Sequence, residues 1–164
     1  MAELTNVETK LAEVTGLAMA AQAATKKVMS LARKEAKELV PDLQRMNEEA
    51  AETERRCTKL AGSSDGKKTA ILKEARATKG KAAEMMSTYL DSDSDVLDGF
   101  EFLTMAEAGE VGHWSVLKVL AAAGKKREVS ELVSWALPIQ ERHFQGVKQA
   151  SLKLAADEDP DGTS

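Results

Sequence analysis

Glu107–Leu120 reads EAGEVGHWSVLKVL, and this stretch decides the fold because apolar residues with helical spacing surround three polar ones. The apolar residues recur at intervals of three and four, as on one buried face of an α-helix. Glu107, Glu110 and His113 lie among them, and their side chains are costly to remove from water without a partner. The sequence therefore predicts either a partner in the fold, such as a metal ion or a second polar helix, or a face that is only partly buried.

Helical spacing also begins close to the N-terminus and continues for about ten turns. Apolar or small residues recur every three or four positions from Leu4 to Leu39, which predicts one long helix. Thr5 or Asn6 is expected to cap its start, and Pro41 is expected to end it because the residue before a proline disfavours helical backbone. The alanines in the middle of this face predict the close approach of a neighbouring helix.

The next part of the chain has the same helical spacing, interrupted once. Pro41 suits the first turn of a second helix, which is expected to stop at Gly62. Residues 62–68, GSSDGKK, have the composition of a loop, and helical spacing then resumes as far as Tyr89. The spacing does not decide whether residues 42–90 form one interrupted helix or two separate ones.

Two more helices are predicted in the C-terminal half. Ser94 or Asp95 is expected to cap the fourth, and Gly124 is a natural residue to end it. The fifth has apolar or amphipathic residues at helical spacing from Val129 to Leu154. It contains Pro138, which should free the carbonyl of Ser134 and kink the helix axis.

These patterns predict an all-α fold, an antiparallel bundle of four or five helices. Residues 1–156 are expected to form a single helical-bundle domain, and residues 157–164, DEDPDGTS, a disordered acidic tail. Ala, Leu, Glu and Lys dominate the composition, and aromatic residues make up only 4%, which favours helices over a β-sandwich.

Several classes of protein are disfavoured by the sequence. No apolar run is long enough for a transmembrane helix, and the N-terminus lacks the basic and apolar blocks of a secretory signal. A single cysteine, Cys57, cannot form an internal disulfide and is typical of a cytoplasmic protein. We therefore expect a cytoplasmic protein without a membrane partner, and a homodimer formed through the alanine-rich first helix.

The charge is unevenly distributed, although the net charge is only −4. Residues 55–81 contain nine Lys or Arg and two acidic residues, whereas residues 82–164 contain seven basic and fifteen acidic ones. A basic segment of this kind can bind nucleic acid, but this one has no aromatic residue for base stacking. A solvated helix face explains it more simply, so nucleic acid is not the expected partner.

The two histidines of the chain share an arrangement. Glu110 and His113 are separated as Glu-x-x-His on the fourth helix, and Gln140 and His143 have the same separation on the fifth. Residues at this spacing lie on one helix face, and all four are expected to point into the bundle. An imidazole and a carboxylate placed in this way can bind one metal ion. Core histidines hydrogen-bonded to Glu107, Glu110 or Gln140 would satisfy the same pattern.

The stretches FEFLTMAEAGEVGHWSVLKVLAAAGK (100–125) and ALPIQERHFQGV (136–147) resemble the second half of a ferritin-like domain. LQRMNEEAAETERRCTKLA (43–61) similarly resembles the second helix of stress-induced bacterial ferritin-like proteins. This resemblance implies a helical bundle with a Glu-x-x-His pair on each of two helices, a single Glu on each of two others, and bound iron or manganese.

The chain departs from that pattern in its first half and on its fifth helix. No histidine occurs in residues 1–112, Glu54-x-x-Cys57 stands where a Glu-x-x-His is expected, and Gln140 replaces a glutamate. Glu35 is the one carboxylate on the inner face of the first helix. The metal site is therefore expected to be partial or lost, with either no cofactor or iron or manganese. The candidate residues at this site are Glu107, Glu110, His113, Gln140 and His143.

Three functions follow from these observations. The leading one is a binding, interaction or stress-related protein that uses the bundle without redox chemistry. The alternative is a metal-dependent oxidase or iron-handling protein that uses Glu110, His113 and His143; the third is nucleic-acid binding through residues 55–81. Gly109 and Gly112, which weaken the fourth helix, indicate either room for a ligand or a close helix contact.

Overall fold

The computed structural model describes residues 2–163 and consists of five α-helices. They are α1 (Asn6–Glu35), α2 (Val40–Ala61), α3 (Lys68–Tyr89), α4 (Val96–Ala123) and α5 (Arg127–Ala156). Helix accounts for 83% of the described residues, which contain no strand. The prediction of an all-α fold is confirmed, and residues 42–90 form two helices.

Local sequence explains where two of the helices begin. Thr5 caps α1, and its side chain accepts a hydrogen bond from the Glu8 backbone N–H while the Glu8 carboxylate accepts one from the Thr5 N–H. Asp95 and Asp98 form the same reciprocal pair at the start of α4. Each pair satisfies two backbone donors that have no partner within the helix. Thr5 and Asp95 are therefore the caps.

The prediction that α1 continues to Leu39 is wrong. The helix ends at Glu35, because Ala36 leaves helical geometry with φ −150° and ψ 66°, and a short 3-10 turn follows over Lys37–Leu39. The proline does not cause the break: Val40, which precedes Pro41, is itself helical and begins α2. Burial of Ala36, which is 4% exposed, fixes the sharp bend between the two helices.

Four of the helices surround a common core, in the order α1, α2, α5 and α4. Each neighbouring pair is antiparallel. Short connections join α1 to α2 and α4 to α5, and the start of α4 lies at the end of α1 through Val96 and Glu35. Glu49 and Arg56 of α2 contact Arg142 and Trp135 of α5 in the opposite order. α3 packs outside this group and runs parallel to α1, because Lys67 pairs with Glu8 and Ala75 lies against Gly16. α3 is thus a long crossover that allows α2 and α4 to run in the same direction.

α1 is enclosed by three other helices. Its buried positions are mostly small: Ala12, Gly16, Ala18, Ala21, Ala24 and Ala32 are among them. A Cβ atom at Gly16 would lie 2.2 Å from the Ala75 carbonyl oxygen, so α1 and α3 are in backbone contact there. The predicted close helix approach is confirmed. These small residues are buried within the chain, and the homodimer stays a prediction.

The inner face of α4 differs from the predicted one. Helical spacing in the sequence predicts an inner face at positions 103, 106, 110, 113, 117 and 120. From position 103 onward, the buried residues of α4 are instead Leu103, Glu107, Glu110, Trp114, Leu117 and Ala121. The two sets share three positions and differ by one residue at the others. Burying the large indole of Trp114, which is fully inaccessible in a cluster with Leu11 and Leu117, explains the rotation.

The surface and the chain ends complete the description. None of the helices in residues 2–163 has the long apolar stretch needed to cross a bilayer. Residues 157–163 form turns beyond α5 and are exposed, and their disorder stays a prediction. Residues 1 and 164, the outer limits of the predicted domain and tail, lie outside the described residues.

Candidate functional site

Four polar side chains meet in the core where α4 packs against α5. Glu107 and Glu110 come from α4, and Gln140 and His143 from α5. Their exposed fractions are 2%, 3%, 1% and 4%, so all four are removed from water. Four of the five residues predicted from the sequence thus lie at one place, which we call the carboxyl cluster.

Gln140 holds the two carboxyl groups of the cluster together. With its amide nitrogen oriented toward α4, the side chain donates to Glu107 Oε2 at 2.9 Å and to Glu110 Oε2 at 3.0 Å. A primary amide has two N–H donors, and both are used in this arrangement. The amide nitrogen therefore lies between two carboxyl groups that would otherwise be without a donor.

His143 lies between Glu107 and a third carboxylate, Glu49 of α2. Its Nδ1 is 3.7 Å from Glu107 Oε2 and its Nε2 is 3.6 Å from Glu49 Oε1, distances too long for hydrogen bonds. Among the described residues, neither His143 Nε2 nor Glu49 Oε1 has a hydrogen-bond partner. Arg142 pairs with the other oxygen of Glu49.

Sequence reasoning missed Glu49 as part of this site. It lies three residues after Met46, and an inner position of α2 at this spacing was the signal that could have identified it. Arg142 was missed for a different reason, because it is exposed and reaches Glu49 from the rim of the α2–α5 interface.

Burial sets the protonation of the cluster. It raises the pKa of Glu107 to about 8. It also raises the pKa of Glu110 well above its usual value, and the neighbouring Glu107 adds to this rise while His143 opposes it. The pKa of His143 is lowered by burial, against the opposing effect of Glu49 and Glu110. Near pH 7 these directions favour protonated carboxyl groups and a neutral imidazole.

His113 is not part of the cluster, and the prediction that it points into the bundle is wrong. Its side chain is 42% exposed, with Nδ1 3.2 Å from Glu13 Oε2 and 3.3 Å from Lys10 Nζ, both on α1. Trp114, the next residue, occupies the inner position instead. His113 is therefore a surface residue at the α1–α4 boundary.

The other residues considered for a metal site also lie elsewhere. Glu35 accepts a hydrogen bond from the Val96 N–H at 2.9 Å and so caps the start of α4. Glu54 pairs with the amide of Gln22 on α1. Cys57 is fully buried, and burial raises the pKa of its thiol to about 12, which makes it an unreactive core residue.

The residues present do not fit the two-metal centre that a ferritin-like resemblance implies. Within residues 2–163, no three His, Cys, Asp or Glu side chains come together in a way that could hold a metal ion. The chemistry of the donors differs too, since Gln140 supplies an uncharged amide where the pattern has an anionic glutamate.

Part of the basic segment is engaged in ion pairs. Arg55 and Arg56 both pair with Glu52, and Lys67 pairs with Glu8 of α1. The guanidinium of Arg56 also lies 4.0 Å from the ring centre of Trp135. These residues therefore have roles in the fold, and none of these contacts indicates a nucleic-acid surface.

Comparison with known proteins adds no assignment to this geometry: no family model matches the sequence, and no curated protein and no solved structure is significantly similar to it.

Proposed function

We propose that this chain is a ferritin-like helical bundle that acts as a binding or interaction protein, with a hydrogen-bonded carboxyl cluster in the position of a metal centre. The topology supports this proposal, since the four core helices are connected by one long crossover, as in ferritin-like folds. The stress-related role suggested by the resemblance of residues 43–61 belongs to the same proposal.

The bridge made by Gln140 to Glu107 and Glu110 carries the proposal. Two ionised carboxylates in a dry core require a cation, whereas two protonated ones require only hydrogen-bond partners. A glutamate at position 140 would add a third negative charge, while the glutamine supplies two donors and no charge. The cluster is electrically balanced without an ion when the carboxyl groups are protonated and the imidazole is neutral.

Elemental analysis of the full chain tests this function. The protein is treated with EDTA, equilibrated with Fe(II) or Mn(II), desalted and analysed, alongside Glu107→Gln and the exposed control Glu141→Gln. We expect less than stoichiometric metal in all three proteins. One or two metal ions per chain, retained by the wild type and the control but lost in Glu107→Gln, would refute the proposal.

A second candidate is a site for a single metal ion between α2 and α5. The observation that favours it is the pair His143 Nε2 and Glu49 Oε1, which are 3.6 Å apart, buried and unpaired within the described part of the chain. An ion at that point would contact both atoms; a bound water would satisfy them as well. In the same elemental analysis, one equivalent of metal that is lost in Glu49→Gln would establish this candidate.

A further inference from the structure

A separate cavity opens between α1, α3 and α4. It has a volume of about 330 Å³, and most of its wall is apolar. Its lining includes alanines of α1 and α3 together with Leu17, Met85, Met86, Phe102 and Leu103. This volume is at the lower end of the range for small-molecule sites, roughly 300–1,000 Å³. The cavity is therefore large enough for a small apolar ligand.

The second half of α3 stands away from the core beside this cavity. The buried residues of α3 are Ala70, Ile71 and Ala75, and none follows them in residues 76–89. Met85 of α3 and Met105 of α4, which both line the cavity, are 49% and 38% exposed. Exposed apolar side chains in the wall of a cavity bury their surface when a ligand fills it.

The charged groups around the cavity have a defined arrangement. Lys79 and Lys81 of α3 line it, are exposed, and take part in no ion pair within residues 2–163. Glu107 and Glu110 line its inner side, where both face the side-chain amide of Gln140 within the carboxyl cluster. The charged groups at the rim that have no ion-pair partner in this part of the chain are therefore positive.

We propose that this cavity binds one medium-chain monocarboxylate amphiphile, with its alkyl chain between α1, α3 and α4 and its carboxylate at the rim beside Lys79 or Lys81, which lie two residues apart and so on different sides of α3. An anionic head group complements the two free lysines, and an alkyl chain suits the alanine and methionine walls. A cationic amphiphile would place its charge against the same lysines. The site adjoins the carboxyl cluster, since Glu107 and Glu110 belong to both.

Gly109 provides the sharpest test of the location. It lines the cavity, and a Cβ atom there would meet nothing within 4 Å, so a larger side chain would occupy open space. Gly112, on the same helix, also has open space around it but does not line the cavity. Neither glycine makes a close helix contact. Gly109 leaves room for a ligand in this cavity, and Gly112 does not border it.

The binding experiment is isothermal titration of the full chain with dodecanoate below its micellar concentration. We expect saturable binding of one molecule per chain, at least about tenfold weaker in Gly109→Leu and unchanged in Gly112→Leu. Chemical denaturation of both variants establishes that they fold. An absence of saturable binding, or equal losses in the two variants, would overturn the proposed site.

The head group is tested with dodecanol and dodecylamine, which share the alkyl chain. We expect dodecanoate to bind more tightly than either, and the pair Lys79→Gln and Lys81→Gln to weaken only dodecanoate, by roughly tenfold. The matched control is Lys68→Gln with Lys73→Gln, two exposed α3 lysines outside the cavity. Tighter binding of dodecylamine, or an equal effect of the two lysine pairs, would overturn the assignment of a carboxylate ligand.

Discussion

The side-chain amide of Gln140 lies 2.9 Å from Glu107 Oε2, and this contact connects α5 to α4 inside the core. In this contact an uncharged amide serves as the donor to a buried carboxyl group. Because Gln140 also bonds to Glu110, one residue fixes the orientation of both carboxyl groups.

Replacing Gln140 by glutamate should destabilise the protein. Gln140→Glu removes both donors and adds a third buried carboxyl group, so we expect the free energy of unfolding to fall by about 2 kcal/mol or more in EDTA. Urea denaturation measures this change, and Gln149→Glu at an exposed position of α5 is the control. A stable Gln140→Glu protein in EDTA would contradict the role given to the amide.

Stability should fall as the pH rises from about 6.5 to 8. The folded protein keeps the Glu107 proton up to a pKa of about 8, whereas the unfolded chain releases it near 4.5. Stabilisation by this proton is complete below the unfolded value and is lost as the pH approaches 8, by at most about 1.4 kcal/mol per pH unit for each such carboxyl. The lowered pKa of His143 acts in the opposite direction and reduces stability below about pH 6.5.

Urea denaturation at a series of pH values measures this dependence. Glu107→Gln keeps the shape of the side chain without its titration, so its stability should change less between pH 6.5 and 8 than that of the wild type. Glu101→Gln, at an exposed position of α4, should retain the full dependence. If the wild type is equally stable at both pH values, the carboxyl groups are not held protonated.

The two histidines should differ in their effect on stability. His143 is 4% exposed, so His143→Ala leaves a cavity and should lower the free energy of unfolding by about 2 kcal/mol or more. His113 is half-exposed, and His113→Ala should change it by less than about 0.5 kcal/mol. Thermal or urea denaturation compares the two variants. An equal loss of unfolding free energy in both would mean that His113 is a core residue.

Glu35 should stabilise the protein through the start of α4. Its carboxylate accepts a hydrogen bond from the Val96 N–H and lies at the positive end of the helix dipole. We expect Glu35→Ala to cost about 1 kcal/mol in urea denaturation. Glu38→Ala, in the exposed 3-10 turn that follows, should cost little, and a similar loss from both would indicate a general charge effect.

The contact of α1 with α3 should tolerate no side chain at Gly16. A Cβ atom there would lie 2.2 Å from the Ala75 carbonyl oxygen, so Gly16→Ala must separate the helices and should cost about 1–3 kcal/mol. Gly80 of α3 has nothing within 4 Å, and Gly80→Ala should stabilise the helix by about 0.5–1 kcal/mol. Opposite signs in thermal denaturation are the expected result; stabilisation by both would show that α3 is not held against α1.

The helices themselves could be predicted from the sequence because capping and spacing are local properties. Thr5, Asp95, Gly62 and Gly124 mark boundaries that the structure confirms. The end of α1 could not be predicted, since the face continues to Leu39 while burial of Ala36 and the turn into α2 interrupt the backbone. That interruption depends on tertiary packing, which the spacing of apolar residues along a single helix does not indicate.

The candidate site could be predicted in part. Gln140 and His143 lie on a face of α5 whose apolar neighbours identify it without ambiguity, and both are buried. On α4 two faces one residue apart have similar spacing, and only the packing of Trp114 selects the one that contains Glu107 and excludes His113. Glu49 joins the cluster from a different helix, a relationship that exists only once α2 and α5 pack together.

The central claim is that Glu107 and Glu110 share a protonated, metal-free environment under Gln140. NMR titration of the glutamate side-chain carboxyl carbons, in EDTA and with Glu107→Gln and Glu110→Gln for assignment, tests it most directly. We expect at least one of these two carboxyl groups to remain protonated at pH 7 and to titrate near pH 8 or above. Titration of both near the ordinary glutamate value of 4.5 would contradict it.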